Sequence, residues 1–331
     1  MIKPLLYKNF SPYNGPILKI FLYHSKEIDL IYKDSTRSST CGPNSKPTNG
    51  DFNILKIGLL SHPRVKLVYT QEEADWIIFH SRNKVGWYSK YHLNSKIIKP
   101  EKSIIIDNRD CAYKTLKDNV KFYFKRTILD KRDNSLQKYT QQVYNFPFSA
   151  RPEYENYNIK KQKNREIDVS VFFNKNLKNK RDRNRRLLAE FILNSQKLSQ
   201  YKIHVGLVSV AGEKGRIQKN KVYFDYMNNS KIIINCTPNH NEGDFRLWEA
   251  LCSGSLVISD DISTLKHLLV DKKHLYYYDV NNLPELEDLV INLLKKPKLI
   301  NKISTQGYKE TYKNHLAINR VNYILNIINN E

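Results

Sequence analysis

The sequence predicts an α/β protein of two Rossmann-like domains that face a central cleft. Short apolar runs alternate with polar, turn-rich loops along the 331 residues, a pattern typical of buried parallel strands joined by helices. The length suits two domains of ordinary size, and residues 146–152 contain two prolines that favour an extended connector. We therefore expect an N-terminal domain over residues 1–150 and a C-terminal domain over residues 151–331.

The elements of the first domain follow from its apolar runs. Residues 17–23 (ILKIFLY) predict the first strand, and residues 53–60 predict a helix that ends before Pro63. A stretch rich in Ser, Pro and Gly at 34–51 predicts a long loop. Further strands are predicted at 65–69, 75–79, 103–106 and 120–124. Together they indicate a parallel sheet with functional groups at the carboxyl ends of its strands.

The second domain begins with a strand at 168–173, a helix at 183–194, a strand at 201–205 and a short helix at 223–229. Residues 231–261 then predict a strand, a loop, a helix, a tight turn and another strand. Asp244 is expected to cap this helix, and Gly254 to end it in a left-handed conformation. The chain continues with an edge or core strand at 275–278, a helix at 284–295 and one or two helices through residue 328.

The helix after Asp244 is apolar around most of its circumference. Only Arg246, Glu249 and Ser253 share a narrow polar stripe. One interpretation is an ordinary Arg–Glu pair on a solvated face. The other is a helix packed in the interior with its stripe lining a cleft, which the sequence favours because buried charges are rare without a partner or a function. The helix N-terminus is a natural place for an anion such as a phosphate.

The segment EGDFRLWEALCSGSLVISDD resembles the nucleotide-sugar-binding signature of group 1 (family 4-like) glycosyltransferases, which have the GT-B fold. The resemblance extends over about residues 165–330. It implies transfer of a sugar from a nucleoside diphosphate sugar to an acceptor hydroxyl. It also implies that the helix N-terminus faces the donor diphosphate, and that the last helix packs back on the first domain.

The same resemblance implies roles for individual residues. Glu249 would hold the ribose hydroxyls, Arg246 would stabilise the diphosphate, and Glu242 in the preceding loop, beside Gly243, would hold the donor sugar. The common pattern separates its two glutamates by seven residues, whereas six residues lie between Glu242 and Glu249 here. Asp244 is therefore a rival for the role of Glu242.

A basic stretch at 174–186 follows the first strand of the second domain. Lys175, Lys178 and Arg181 are candidates for contact with the donor diphosphate, and the alternative is a solvated basic helix face. His80, Asp107 and Asp110 follow strands of the first domain and are candidate catalytic groups. In an inverting enzyme, a base at such a position would deprotonate the acceptor hydroxyl, and in a retaining enzyme a histidine there would contact the donor sugar. The alternative for each residue is a structural role as a cap or a loop hydrogen bond.

Metal-ligand patterns are missing from the sequence, so we expect a metal-independent enzyme with no cofactor besides its nucleotide-sugar co-substrate. The net charge of +22 is compatible with nucleic acid, an anionic membrane surface or anionic substrates. Because helix-turn-helix, zinc-finger and RNP-type signatures are absent, no specific nucleic acid is expected, whereas peripheral contact with an anionic membrane stays among the predicted partners.

Two alternatives to the enzyme remain open at this point. One is a basic nucleic-acid-binding protein, and the other is a catalytically degenerate GT-B module that binds nucleotide or glycan without turnover. The N-terminal stretch lacks a signal-peptide pattern, and the four cysteines are widely spaced. These features predict a cytoplasmic protein, and the resemblance to glycosyltransferases implies a role in glycan biosynthesis.

Overall fold

The structure, a computed structural model, describes residues 2–3, 10–23, 50–81, 100–107, 121–126, 128–130, 135–136, 142–150, 158–173, 183–207, 221–237 and 243–330. Most of the predicted loop at 34–51 lies outside these residues. The described chain divides into two compact units. One contains the residues up to 148 together with those from 317 onward, and the other contains residues 149–316.

The first unit is built on a seven-stranded parallel sheet. Its chain forms β1 (Ile2–Lys3), β2 (Leu18–Tyr23), β3 (Val65–Leu67), β4 (Trp76–Ser81), β5 (Ser103–Asp107), β6 (Phe122–Lys125), β7 (Leu129–Asp130), β8 (Ser135–Leu136) and β9 (Val143–Asn145). The sheet has the order β1-β9-β6-β5-β4-β2-β3, and β7 and β8 form a separate antiparallel pair. Ile77, Ile78 and Ile104 to Ile106 are fully buried, as expected for strands covered on both faces.

The second unit contains a five-stranded parallel sheet. Its strands are β10 (Ile167–Phe173), β11 (Ile203–Leu207), β12 (Ser230–Asn235), β13 (Leu256–Asp260) and β14 (Tyr276–Tyr278), in the order β11-β10-β12-β13-β14. Alternate strand residues such as Val169, Ile232 and Ile258 form a core with apolar side chains from the helices on that face. The predicted late strand is β14, at the edge of this sheet.

The helices, with α1 in the first unit and the next five in the second, lie close to the predicted positions. They are α1 (Gly50–Ser61), α2 (Arg183–Asn194), α3 (Lys221–Asn228), α4 (Phe245–Cys252), α5 (Leu283–Leu294) and α6 (Pro297–Asn314). The predicted bounds of α2 are confirmed at both ends. The left-handed stop after α4 is also confirmed, because Gly254 has a φ of +70°.

The last helix, α7 (Ala317–Asn330), belongs to the first unit. It crosses α1 closely at Gly58, where an added Cβ would lie 2.8 Å from the Ala317 carbonyl oxygen. Asn322 of α7 also accepts from the Tyr13 backbone N–H at 3.0 Å and lies 2.9 Å from Nε2 of His62. Only glycine permits this helix contact, and the buried polar bonds fix its register.

The α/β class and the two parallel-sheet units predicted from the sequence are confirmed. Several strands extend further than expected, β4 and β5 among them. β4 includes His80 and Ser81, and β5 includes Asp107, because His80 pairs with Ile106 and Ser81 pairs with Asp107 in the ladder. His80, Ser81 and Asp107, which the sequence prediction placed just beyond these strands, therefore belong to them.

Candidate functional site

The second unit has a topological switch point between β10 and β12. β11 lies on one side of β10, and β12, the next strand along the chain, lies on the other. Connections that leave the carboxyl ends of two such strands diverge to opposite faces of the sheet and leave a crevice between them, where ligands bind in open α/β sheets. Helix α4 follows β12 and begins at this edge.

The N-terminus of α4 is capped as the sequence predicts. The Asp244 carboxylate accepts from the Leu247 backbone N–H at 3.2 Å. Gly243, directly before it, has a φ of +68°, a conformation that side chains with a Cβ rarely adopt. Glycine and the cap together direct the chain from the loop into the helix, whose remaining first-turn N–H groups and dipole favour an anion.

Arg185 connects three elements at this position. Its Nη2 lies 2.6 Å from Asp244 Oδ2, and its Nε donates to the Cys236 carbonyl oxygen at 2.7 Å. The guanidinium is buried on α2, so it links that helix to the end of β12 and to the cap of α4. Sequence reasoning missed this residue within the basic stretch. The available signal is its position, since the buried residues of α2 are Arg185, Leu188, Ala189 and Ile192, and the arginine continues an apolar stripe.

Arg246, in the first turn of α4, is the more accessible arginine. Its Nη1 donates to the Phe172 carbonyl oxygen near the end of β10 at 2.7 Å, and its Nε lies 3.6 Å from Asp244 Oδ2. Its side chain is 15% exposed, against 4% for Arg185. Two guanidinium groups around one carboxylate leave a net positive charge at a helix N-terminus, which suits a phosphate-bearing ligand.

Glu249 lies one turn further along α4 and is fully buried. It accepts a hydrogen bond from the Tyr223 hydroxyl of α3 at 2.7 Å. Every residue of α4 except Arg246 is buried. The prediction of an interior helix is therefore confirmed, and the alternative of an Arg–Glu pair on a solvated face is not. Ser253, the third member of the polar stripe, donates to the Ala250 carbonyl oxygen at 2.7 Å. The assignment of Glu249 to the ribose stays a prediction.

The residues that leave β12 are also fixed by polar bonds. Asn235 Nδ2 donates to Ser259 Oγ at 3.1 Å, and the Thr237 N–H donates to Asp260 Oδ1 at 3.0 Å. The Thr237 hydroxyl donates to the other oxygen of Asp260. β12 and β13 thus hold the start of the loop that precedes Gly243.

Two of the three catalytic candidates of the first unit, His80 and Asp107, lie near the carboxyl ends of β4 and β5. Asp107 is fully buried, with Lys125 Nζ 3.1 Å from Oδ2 and the Tyr123 hydroxyl donating to the same oxygen. This environment favours a structural ion pair between β5 and β6, and catalysis by Asp107 stays a prediction. His80 is placed through its backbone in β4, while its side chain, and the whole of Asp110, lie outside the described residues.

Four further donor-site candidates, Glu242, Lys175, Lys178 and Arg181, lie outside the described residues, and their roles stay predictions. Within the described ranges, His, Cys, Asp and Glu side chains form no group of three or more that could hold a metal ion. None of the described helices is both long and apolar enough to cross a membrane.

Comparison with known proteins supports the interpretation that the second unit carries a nucleotide-sugar-binding site. The glycosyl transferase-like family model matches residues 179–326, which include α2, β12 and α4. A search of curated proteins gave no match.

Solved structures of alpha-glucosyltransferases share the overall fold at low sequence identity. An alpha-glucosyltransferase in complex with UDP and a 13-mer DNA containing a HMU base has a TM-score of 0.58 and 12% identity, over 95% of this chain and 100% of that one. An alpha-glucosyltransferase in complex with UDP-glucose and DNA containing an abasic site has a TM-score of 0.55 and 10% identity, over 94% and 98%. TarM of S. aureus has a TM-score of 0.48 and 14% identity, over 74% of this chain, which spans 57% of the TarM chain.

These findings do not favour a protein whose only role is to bind nucleic acid. The matched segment contains the helix, the cap and the arginine that define the candidate site. Residues 179–326 therefore match a glycosyl transferase-like family model, within a two-unit parallel α/β fold that solved alpha-glucosyltransferase structures share.

Proposed function

We propose that this chain transfers a sugar from a nucleoside diphosphate sugar, with UDP as the nucleotide, to an acceptor hydroxyl. The observation that carries the proposal is the N-terminus of α4. Asp244 caps it, Arg185 and Arg246 surround that cap, and it opens at the switch point between β10 and β12. The alpha-glucosyltransferase structures that share the fold contain UDP or UDP-glucose, which supports the choice of nucleotide.

The reaction assigns a task to each part of the site. The bond between the sugar anomeric carbon and the diphosphate oxygen breaks, and its electron pair leaves with the diphosphate. A bond from the acceptor oxygen to that carbon forms, and the acceptor proton passes to a base. Arg246 and the N-terminus of α4 stabilise the charge that develops on the diphosphate, while Asp244 and Arg185 position them.

Glu249 is proposed to bind the ribose hydroxyls of the donor. Its buried carboxylate accepts from the Tyr223 hydroxyl at 2.7 Å, and a carboxylate can accept several hydrogen bonds at once. The basic candidates Lys175, Lys178 and Arg181 are proposed as further diphosphate contacts, and Glu242 as the contact of the donor sugar. His80, Asp107 and Asp110 remain the proposed acceptor-side groups, and Asp107 is the least suited because it is fully buried against Lys125. The reaction is proposed to need no metal.

Glutamate 249 provides the sharpest test of the donor site. Replacing it by glutamine, Glu249→Gln, preserves its size and its bond to Tyr223 but removes the charge. We expect the affinity for UDP, measured by titration calorimetry, to fall about tenfold, since a hydrogen bond to a charged acceptor is worth about 1.5–3 kcal/mol.

The matched control is Glu287→Gln. Glu287 is also a buried helix glutamate that accepts from a hydroxyl, that of Ser195, but it lies on α5. Unchanged UDP affinity in the Glu249 variant, with the native fold retained, would reject the ribose role. A wild-type protein that neither binds UDP nor releases it from UDP-glucose with any acceptor would reject the proposed function.

The acceptor panel should contain saccharides and duplex DNA, because the fold-sharing structures contain DNA. A cytoplasmic role in glycan biosynthesis, and peripheral contact with an anionic membrane, are proposed with the same reaction. The net charge of +22 supports the membrane contact.

A further inference from the structure

A cavity lies in the second unit where its parallel strands begin, at the opposite end of the sheet from the candidate donor site. Its lining includes Asp168 at the start of β10, Lys231 at the start of β12 and Gly254 just before β13. The five residue-to-residue steps from Asp168 to Phe173 span about 16 Å of extended chain, which separates this cavity from the candidate donor site. Its volume of about 770 Å³ is that of a small-molecule site.

The lining of the cavity is strongly basic. Five lysines and Arg165 line it, against one acidic residue, Asp168; the lysines are Lys160, Lys161, Lys163, Lys231 and Lys298. Two of them are engaged, since Lys231 Nζ lies 2.7 Å from Asp168 Oδ1 and Lys160 Nζ donates to Asn229 Oδ1 at 3.0 Å. Lys161, Lys163 and Lys298 are exposed, and within the described part of the chain they have no acidic partner.

The wall that carries these lysines is held rigidly. Arg165 is buried and donates to the Ser253 carbonyl oxygen at 2.6 Å and to the Ser230 carbonyl oxygen at 2.8 Å. Gln162 Nε2 donates to the Gly254 carbonyl oxygen at 2.8 Å and to Ser304 Oγ on α6 at 3.1 Å. Burial lowers the pKa of Arg165 to about 10, which still leaves it charged at neutral pH. Residues 160–165 are therefore fixed to both the sheet and α6 before any ligand arrives.

Helix α6 presents its N-terminus at the cavity. Pro297 and Lys298 of its first turn line the space, together with Asn301 about one turn later and Ser304 about two turns later. The first turn contains no acidic residue, and the N-cap Lys296 makes no side-chain capping bond. The dipole of a helix favours negative charge at its N-terminus, so the positive charges of Lys296 and Lys298 are unfavourable there. An anion bound at the N-terminus of α6 would offset this repulsion.

Apart from Thr305, the remaining lining is apolar or aromatic. Ile159, Leu294 and Ile300 contribute aliphatic surface, and Tyr201 and Tyr308 contribute partly exposed rings. An inorganic anion would leave this surface in contact with water, whereas an organic phosphate would cover it. We propose that the cavity bounded by residues 159–165 and the first turns of α6 binds a phosphate-bearing ligand with an apolar body, at a site separate from the donor site.

The test uses the full chain and two probes. Phenyl phosphate represents a free organic phosphate, and vesicles of phosphatidylcholine with phosphatidic acid represent a lipid headgroup. The variant Lys161→Gln/Lys163→Gln/Lys298→Gln removes the three unpaired charges. The control Lys273→Gln/Lys302→Gln/Lys309→Gln removes three exposed charges of the same unit that do not line the cavity.

We expect the cavity variant to bind at least one probe about tenfold more weakly than the wild type and the control to change less than about threefold, because only the cavity lysines converge on one phosphate. Calorimetry measures phenyl phosphate binding, and co-sedimentation against vesicles of pure phosphatidylcholine measures lipid binding. Loss of the phenyl phosphate signal identifies a free ligand, and loss of the vesicle signal alone identifies a headgroup. Equal losses in both variants, or no binding of either probe by the wild type, would overturn the proposal.

Discussion

Replacing Arg185 should destabilise the second unit more than its single charge suggests. The variant Arg185→Met keeps the apolar stem on the buried stripe of α2 and removes the guanidinium. Asp244 then loses its 2.6 Å partner, and the Cys236 carbonyl oxygen loses its 2.7 Å donor. Breaking a buried pair costs about 3–5 kcal/mol. Asp244 keeps the Leu247 N–H and Arg246 at 3.6 Å, so we expect the lower end, about 3 kcal/mol of unfolding free energy.

The assay is urea unfolding followed by tryptophan fluorescence and circular dichroism, and a double variant identifies the cause. Asparagine is also a good N-cap, so Asp244→Asn removes the charge and keeps the cap. If the uncompensated Asp244 charge causes the loss, the double variant should be at least about 2 kcal/mol more stable than the sum of the single effects predicts. Arg186→Met is the control, because Arg186 is 44% exposed and its pair with Glu190 is 3.9 Å long. A loss no larger than that of the control, or additive effects, would refute the reasoning.

Two further predictions concern glycine and histidine. Gly254→Ala should lower the free energy of unfolding in urea by about 1 kcal/mol or more beyond the effect of Gly243→Ala. Both glycines have positive φ, but a Cβ at Gly254 would clash with Ile159 Cγ2 at 2.8 Å, whereas the nearest neighbours of a Cβ at Gly243 are 3.9 Å away. Equal losses would show that backbone conformation alone decides. Burial lowers the pKa of His62, His204 and His274. The unfolded chain therefore binds more protons than the folded chain below about pH 6.5. The free energy of unfolding should fall as the pH drops through that value, by at most about 1.4 kcal/mol per pH unit for each histidine. Stability that is constant or rising from pH 7 to 5.5 would contradict this.

Local signals predicted much of the second unit. The bounds of α2, the cap at Asp244 and the left-handed Gly254 depend on residues within a few positions of one another, so a single sequence contains the information. The buried state of α4 followed from its composition for the same reason. In the first unit, strands β4 and β5 were predicted too short, because their last residues are strand residues only through pairing with each other.

Long-range contacts could not be predicted in this way. β1 and β9 were missed, and Ile2 pairs with Val143 across 141 positions of the chain. The partners of the α4 stripe were likewise missed. Glu249 meets Tyr223, and Arg246 meets the Phe172 carbonyl oxygen, because α3, α4 and β10 converge in space and not in sequence.

By itself, the sequence determined the α/β class, the order of most elements and the helix that carries the glycosyltransferase signature, since periodicity, capping and turn residues act over short distances. The tertiary structure decided which charges meet. It placed Arg185 on Asp244, Lys125 on Asp107, and the lysines of residues 160–163 around the N-terminus of α6. Such contacts depend on the order of the strands within a sheet and on which helix faces pack against that sheet. No local pattern of residues contains that information.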